Sequence, residues 1–138
     1  MKKSLFTSAT ALIAGAVIAL AAPLAASAHV GIDPNQSDPG TYPLITFKVP
    51  TESATATTTR IELTLPQDTP FGFVSYTPVD GWTTELVKET LPEPVVTDDG
   101  EVTEAVTTVI WTAQPGSELT EEQYGLFPLV LGPVPDTG

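Results

Sequence analysis

The sequence predicts an all-β protein built as an antiparallel β-sandwich. Residues 29 to 138 contain 13 prolines and 20 threonines among 110 residues, a composition that disfavours helices and favours extended segments separated by turns. Apolar and polar residues also alternate in several short segments, and no segment shows a helical period. Short strands at this spacing are typical of a sandwich of immunoglobulin-like shape.

The first 28 residues have the pattern of a secretory signal peptide. Lys2 and Lys3 precede a small-apolar run over residues 11 to 22, and Ala26-Ser27-Ala28 supplies the small residues of a cleavage site. The alternative, a retained membrane anchor, needs about 17 to 25 apolar residues, and this run is shorter. We therefore predict cleavage after Ala28 and an exported domain that begins at His29.

Two half-buried strands are predicted near the start of this domain. Their inward-facing residues are Ile45, Phe47 and Val49 in the first and Ile61, Leu63 and Leu65 in the second. Further strands are predicted at residues 71 to 77, 83 to 87, 102 to 111 and 126 to 131. Residues 89 to 104 hold six acidic residues and two prolines and are predicted as a hairpin connection or a mobile loop. Trp82 and Trp111 are predicted to pack in the core or under a turn.

The charge balance excludes several classes of partner. The chain has 17 acidic residues against 5 basic ones and a formal net charge of -12. After cleavage only Lys48, Arg60 and Lys88 remain basic, so the charge becomes 3 − 17 = −14. Nucleic acid and anionic lipid are therefore excluded as expected partners. The chain has no Cys, and its single Met, Met1, leaves with the signal peptide, so the exported domain offers no sulfur ligand.

His29 is the single histidine, and its position at the predicted cleavage point gives it unusual chemistry. Once the chain begins there, one residue offers both a free α-amine and an imidazole nitrogen, which can chelate one metal ion. An α-amine has a reference pKa of about 7.7 to 8.0, so a metal displaces its proton readily near neutral pH. This pair of nitrogens suits the tetragonal preference of Cu(II).

A carboxylate brought close by the fold would complete such a site. The residues alone do not choose among the 17 candidates, although a strand pairing of the Val30 segment with the Lys48 segment would make Glu52 plausible. The alternative, an exposed N-terminal histidine that binds metal only adventitiously, stays open at this point.

An ordered set of short motifs resembles the YcnI-like copper-binding family over nearly the whole exported domain. The motifs are Ala28-His29-Val30, Pro34, Gly40, Lys48-Val49-Pro50-Thr51-Glu52, Pro66, Gly81-Trp82, Val109-Ile110-Trp111, Glu122-Gln123-Tyr124 and Phe127-Pro128-Leu129. The resemblance implies a secreted or membrane-tethered β-sandwich that holds one Cu(II) in a single-histidine brace. By position, His29 would give the amine and imidazole nitrogens and Glu52 the carboxylate.

The resemblance also implies a role in copper storage, buffering or delivery, to a membrane copper importer or to a cuproenzyme. The family continues into a Gln-x-Tyr-x-Asp-Gly strand that ends in a Trp close to the copper, and commonly into a membrane anchor. The sequence ends before these features, so residues 29 to 138 are expected to form a YcnI-like domain without its final strand and anchor. Trp111 matches an earlier Trp of the family and is given no metal role.

Two other functional classes are weighed against copper handling. Copper polysaccharide monooxygenases also begin with a histidine, but they need a second imidazole, which this sequence lacks. A hydrolase would lack a histidine base, so we predict that the protein is not an enzyme. The third class is a structural or adhesive cell-surface module without a physiological metal, in which Glu52 is an ordinary loop residue.

Overall fold

Seven antiparallel strands form two sheets in the computed structural model, which describes residues 29 to 97 and 99 to 136. The predicted signal peptide, residues 1 to 28, lies outside these residues. The strands are β1 (Gly31–Asp33), β2 (Leu44–Pro50), β3 (Arg60–Thr64), β4 (Phe73–Tyr76), β5 (Trp82–Thr97), β6 (Gly100–Ala113) and β7 (Tyr124–Gly132). The described residues contain no helix, so the all-β prediction is confirmed. None of them accordingly forms a helix able to cross a membrane.

The two sheets lie face to face and share one core. The first has the strand order β1-β2-β7-β4 and the second the order β3-β6-β5. The alternation predicted for β2 is confirmed, since Phe47 and Val49 are buried and Ile45 packs against the core. The second alternating segment behaves in the same way: Leu65 is buried, and Ile61 and Leu63 pack against the same cluster.

Aromatic side chains join the two sheets at the centre of the core. Trp111 on β6 and Phe127 on β7 are both fully buried, with ring centroids 5.4 Å apart. Phe47 on β2 lies 6.3 Å from Trp111, and Trp82 on β5 lies 4.9 Å from Phe127. Aromatic pairs at such separations add to the free energy gained by burying their apolar area. The core role predicted for both tryptophans is confirmed.

Of the two alternatives predicted for residues 89 to 104, the structure contains the hairpin and not the mobile loop. β5 continues to Thr97 and β6 starts at Gly100, so most of the stretch is paired strand and the connection itself is short. The prolines do not break the hairpin because Pro92 and Pro94 fall within a register shift between Thr90 and Val95. A bulge of this kind leaves residues out of the ladder, and a proline there costs no ladder hydrogen bond.

The tip of this hairpin is tied to the other sheet by Tyr42. The Tyr42 hydroxyl donates a 2.5 Å hydrogen bond to Asp99 Oδ2, and its ring packs edge-on against Phe73 at 6.0 Å. The hydrogen bond to Asp99 raises the pKa of the Tyr42 phenol above its usual value near 10, with desolvation and the charge of Asp99 adding to it. The bond therefore stabilises the fold fully below about pH 10 and is lost as the pH rises through the raised pKa.

Replacing Asp99 with Ala is expected to lower the pKa of the Tyr42 phenol toward 10, because the acceptor and its negative charge are both removed. The measurement is a pH titration of phenolate absorbance, with a Tyr42→Phe chain subtracted to isolate this ring. Glu101→Gln, an exposed acid in the same hairpin, is the matched control and should leave the titration unchanged. An unchanged Tyr42 pKa in Asp99→Ala would contradict the assignment.

Candidate metal centre

His29 lies at one end of the four-stranded sheet. Strand β1 pairs with β2 in the register Gly31 with Lys48, Ile32 with Phe47 and Asp33 with Thr46. His29 precedes β1 by two residues and is exposed. Because antiparallel partners run in opposite directions, continuing this register places His29 opposite Pro50, the last residue of β2.

Glu52 lies at the same end of the sheet. It follows Pro50 by two residues, is exposed, and belongs to the connection between β2 and β3. The pairing of the Val30 segment with the Lys48 segment, on which the interest in Glu52 depended, is thus present in the structure. The fold brings the residue at the predicted cleavage point and the carboxylate of the Val-Pro-Thr-Glu motif to neighbouring strand ends.

The residue before Glu52 is anchored by two side-chain hydrogen bonds. Thr51 is 6% exposed, its hydroxyl lies 2.6 Å from the Thr58 hydroxyl, and it also donates to the Leu119 carbonyl at 3.3 Å. Thr58 and Leu119 are joined by two backbone hydrogen bonds of 2.9 and 3.0 Å. Hydrogen bonds to Leu119 therefore hold the β2–β3 connection, which contains Glu52, against the segment before β7. The backbone next to Glu52 is thus well positioned.

A turn holds the other side of Glu52. The Ser53 hydroxyl accepts hydrogen bonds from the backbone N–H of Ala56 at 3.0 Å and of Thr55 at 3.3 Å. Such side-chain to backbone bonds stabilise turns locally. A cavity of about 150 Å³ lies against this turn and is lined in part by Pro50, Thr51 and Glu52. Glu52 thus lines a small cavity, and the residues on both sides of it, Thr51 and Ser53, are held by hydrogen bonds.

The donor chemistry of this end of the sheet is limited. Within residues 29 to 97 and 99 to 136, no group of three or more His, Cys, Asp or Glu side chains is placed to hold a metal. The neighbouring Lys48 is engaged with Asp33 at 3.4 Å across β1 and β2. The donors predicted here from the sequence are the two nitrogens of a processed His29 and the oxygens of Glu52. This set of nitrogen and hard oxygen donors fits a divalent ion of tetragonal preference.

Sequence reasoning missed Thr51 as the residue that anchors the Glu52 segment. Threonine is frequent throughout the chain, so its type carries no signal. Its partners are 7 and 68 positions away in the sequence, and only the folded chain brings them together.

The chain matches a protein family model and is similar to a curated bacterial protein. A family model described as a domain of unknown function, DUF1775, matches residues 29–138. The chain is 32% identical over 130 residues to the copper-binding protein CutI of Bacillus subtilis, a match that covers 94% of this chain and 54% of that protein. The chain thus spans about half the length of the curated relative it matches.

A solved structure agrees with the fold. It is the crystal structure of an uncharacterized protein from Nocardia farcinica with an immunoglobulin-like fold, which is 33% identical to this chain. The TM-score is 0.59, and the match covers 79% of this chain and 69% of the other. The immunoglobulin-like shape predicted from the sequence is confirmed. The chain belongs to the DUF1775 family, which confirms the YcnI-like resemblance of its motifs.

Proposed function

We propose that this chain is an exported copper-binding domain that holds one Cu(II) through a single-histidine brace at His29. The α-amine and imidazole of His29 would supply two nitrogens, and Glu52 would supply a carboxylate oxygen. The observation that supports the proposal is the β1–β2 register, in which Gly31 pairs with Lys48. Continued by two residues, this register would bring His29 opposite Pro50, which precedes Glu52 by two residues. A relative that is 32% identical is a copper-binding protein, which supports the choice of metal.

The choice of Cu(II) also has support from the composition. Beyond Met1 the chain contains neither Cys nor Met, so it offers Cu(I) no soft sulfur ligand. Amine and imidazole nitrogens with a carboxylate form a donor set that Cu(II) prefers, and Cu(II) heads the Irving–Williams order among divalent first-row ions. Both proposed ligand residues are exposed, so the ion can enter and leave without unfolding the core.

Export is part of the same proposal. The α-amine of His29 becomes free only when the chain is cut after Ala28, as signal peptidase would do. Copper binding would then begin on the extracytoplasmic side of the membrane. There the domain would store, buffer or deliver copper as cargo, without changing a substrate covalently. A membrane copper importer and a cuproenzyme are the two proposed recipients.

The test is a titration of Cu(II) into the chain that begins at His29. We expect one equivalent to bind tightly and to give an electron paramagnetic resonance spectrum with nitrogen couplings. Weak binding of several ions without such couplings would overturn the proposal and favour the alternative, a cell-surface module without a physiological metal.

Replacing Glu52 with Gln should raise the Kd for Cu(II) at least about tenfold, which corresponds to about 1.4 kcal/mol, because a charged oxygen donor becomes a neutral amide. The same titration measures this change, and the resonance spectrum should shift with it. Glu85→Gln is the matched control, since Glu85 is an exposed acid on β5 in the other sheet. Equal Kd values for Cu(II) in the two variants would show that Glu52 is not a copper ligand.

A further inference from the structure

Lys48 joins β1 to the rest of the four-stranded sheet through its side chain. The Lys48 Nζ atom lies 3.4 Å from Asp33 Oδ2. The aliphatic stem lies over Gly31, since a Cβ atom built on this glycine would be 3.6 Å from Lys48 Cβ and 3.9 Å from Lys48 Cδ. Gly31 and Asp33 are the first and last residues of β1. One side chain of β2 therefore contacts both ends of β1.

The backbone of Lys48 is fixed by the core. Its neighbours in the strand, Phe47 and Val49, are 8% and 5% exposed and belong to the core cluster. On its other side β2 pairs with β7 along its whole length. The backbone beside Glu52 is held by the hydrogen bonds described above. Lys48 and Glu52 therefore belong to a well-positioned half of the proposed copper site.

The other half of the proposed site, His29, depends on β1. This strand is three residues long, which limits the number of ladder hydrogen bonds that it makes with β2. Under the proposed cleavage, only His29 and Val30 precede it. The first residues of a domain are poorly ordered unless something ties them down. Contacts that tie β1 to β2 therefore decide where His29 lies.

In the proposed site, the docking of β1 decides whether Glu52 can reach the ion. The amine and imidazole belong to one residue, so His29 would chelate Cu(II) whether or not β1 lies on the sheet. The carboxylate of Glu52 would join the same ion only while β1 is paired with β2, because that pairing brings His29 to the end of β2. Any fraction of chains with β1 undocked would therefore raise the apparent Kd.

We infer that Lys48 is a positioning residue of the copper site, which holds β1 on β2 and so keeps His29 within reach of Glu52. The inference rests on the proposed function and adds to it a residue that does not touch the metal. The ammonium attracts Asp33, and the methylene stem covers Gly31. The Lys48 and Asp33 side chains are 47% and 66% exposed, so their ion pair is modest in strength and its removal has a moderate effect.

The test compares Cu(II) affinities, measured against a competing chelator, in the processed chain, residues 29 to 138, and in its variants. Lys48→Met keeps an unbranched apolar stem but cannot pair with Asp33, so we expect the Kd to rise about threefold. Lys48→Arg keeps the charge and the pairing with Asp33, and it should bind like the unmodified chain. Lys88→Met is the matched control, because it removes the same charge from an exposed position on β5, and it should not raise the Kd.

The sign of the change separates positioning from charge. By charge alone, removing a cation beside a Cu(II) site would tighten binding, whereas a loss of positioning weakens it. A double-variant cycle adds a second criterion. In a Glu52→Gln chain, where the carboxylate is already lost, Lys48→Met should no longer raise the Kd. A tighter or unchanged Kd in Lys48→Met alone, or an equal rise in both backgrounds, would overturn the inference.

Amide hydrogen exchange tests the hold on β1 without any metal. In the metal-free chain, exchange at residues 31 to 33 should be about threefold faster in Lys48→Met and unchanged in Lys88→Met. If the unmodified chain failed to bind one Cu(II) tightly, the proposed function would be overturned, and the positioning role with it. Tight binding in that chain, together with unchanged exchange in Lys48→Met, would overturn the positioning role alone.

Discussion

A chain that begins at His29 and is acetylated on its α-amine is expected to lose tight Cu(II) binding. Acetylation turns the α-amine into an amide and leaves no free amine ahead of it to anchor the ion, so this nitrogen keeps its proton and is no longer a ligand near neutral pH. The chelate formed by one residue is thereby broken, while the fold and all side chains remain. We expect the Kd to rise at least about a hundredfold, or about 2.7 kcal/mol.

The measurement compares Cu(II) titrations of the two chains under the same competing chelator. A useful control carries the acetyl group on the exposed Lys88 amine instead and keeps a free α-amine, and it should bind like the unmodified chain. Unchanged affinity in the chain acetylated at His29 would rule out the α-amine as a ligand, and with it the single-histidine brace. Because the change leaves Glu52 intact, its result is independent of the Glu52→Gln experiment.

Trp111→Ala should produce the largest loss of stability. Trp111 is 0% exposed and contacts Phe47 and Phe127 across the sandwich, so truncation leaves a large cavity between the sheets. Truncating a buried tryptophan to alanine lowers the free energy of unfolding by about 3 to 5 kcal/mol. This is a large share of the roughly 5 to 15 kcal/mol that stabilises a typical domain. Urea unfolding followed by circular dichroism measures the change. Val96→Ala, at a side chain that is 81% exposed, should leave the unfolding midpoint almost unchanged.

Trp111→Phe provides a finer test of the same position. The Trp111 Nε1 atom is buried and has no hydrogen-bond partner in the described part of the protein. A phenylalanine side chain is smaller than tryptophan, so some packing is lost. It also lacks the unpaired N–H donor, whose burial destabilises the folded state by about 1 to 3 kcal/mol. We therefore expect Trp111→Phe to destabilise the protein much less than Trp111→Ala. Equal losses in the two variants would show that ring packing at this position contributes little.

The strands that could be predicted are those with one face in the core. Phe47 and Val49 alternate with polar residues because β2 is buried on one side, and that pattern is visible in the sequence. Strand β1 has no such signal, since it is three residues long and exposed throughout. The full length of β5 was also missed, because Pro92 and Pro94 signal a break that the register shift absorbs.

The candidate site was predictable in part. His29 stands out because it is the single histidine and lies at a cleavage pattern. From the residues alone, Glu52 could be singled out as a ligand only by assuming that the Val30 segment pairs with the Lys48 segment. The structure contains this pairing as β1 with β2. The contact of Thr51 with Leu119 spans 68 positions, and the point at which β4 stops pairing with β7 depends on the register of the folded sheet. Features of this kind arise from tertiary register, which local patterns do not encode.

Pro128 has a consequence for the association of molecules of this protein through strand pairing. Open strand edges are the usual starting points for sheet growth between chains, which ends in fibrils. Here β4 pairs with β7 beyond Pro128, so among the described residues only 124 to 127 of β7 lack a strand partner on that side. A four-residue template is too short for the continuous pairing that a cross-β assembly requires. The proline that ends the pairing of β4 with β7 therefore leaves, in this part of the chain, a stretch of β7 too short to start sheet growth between molecules.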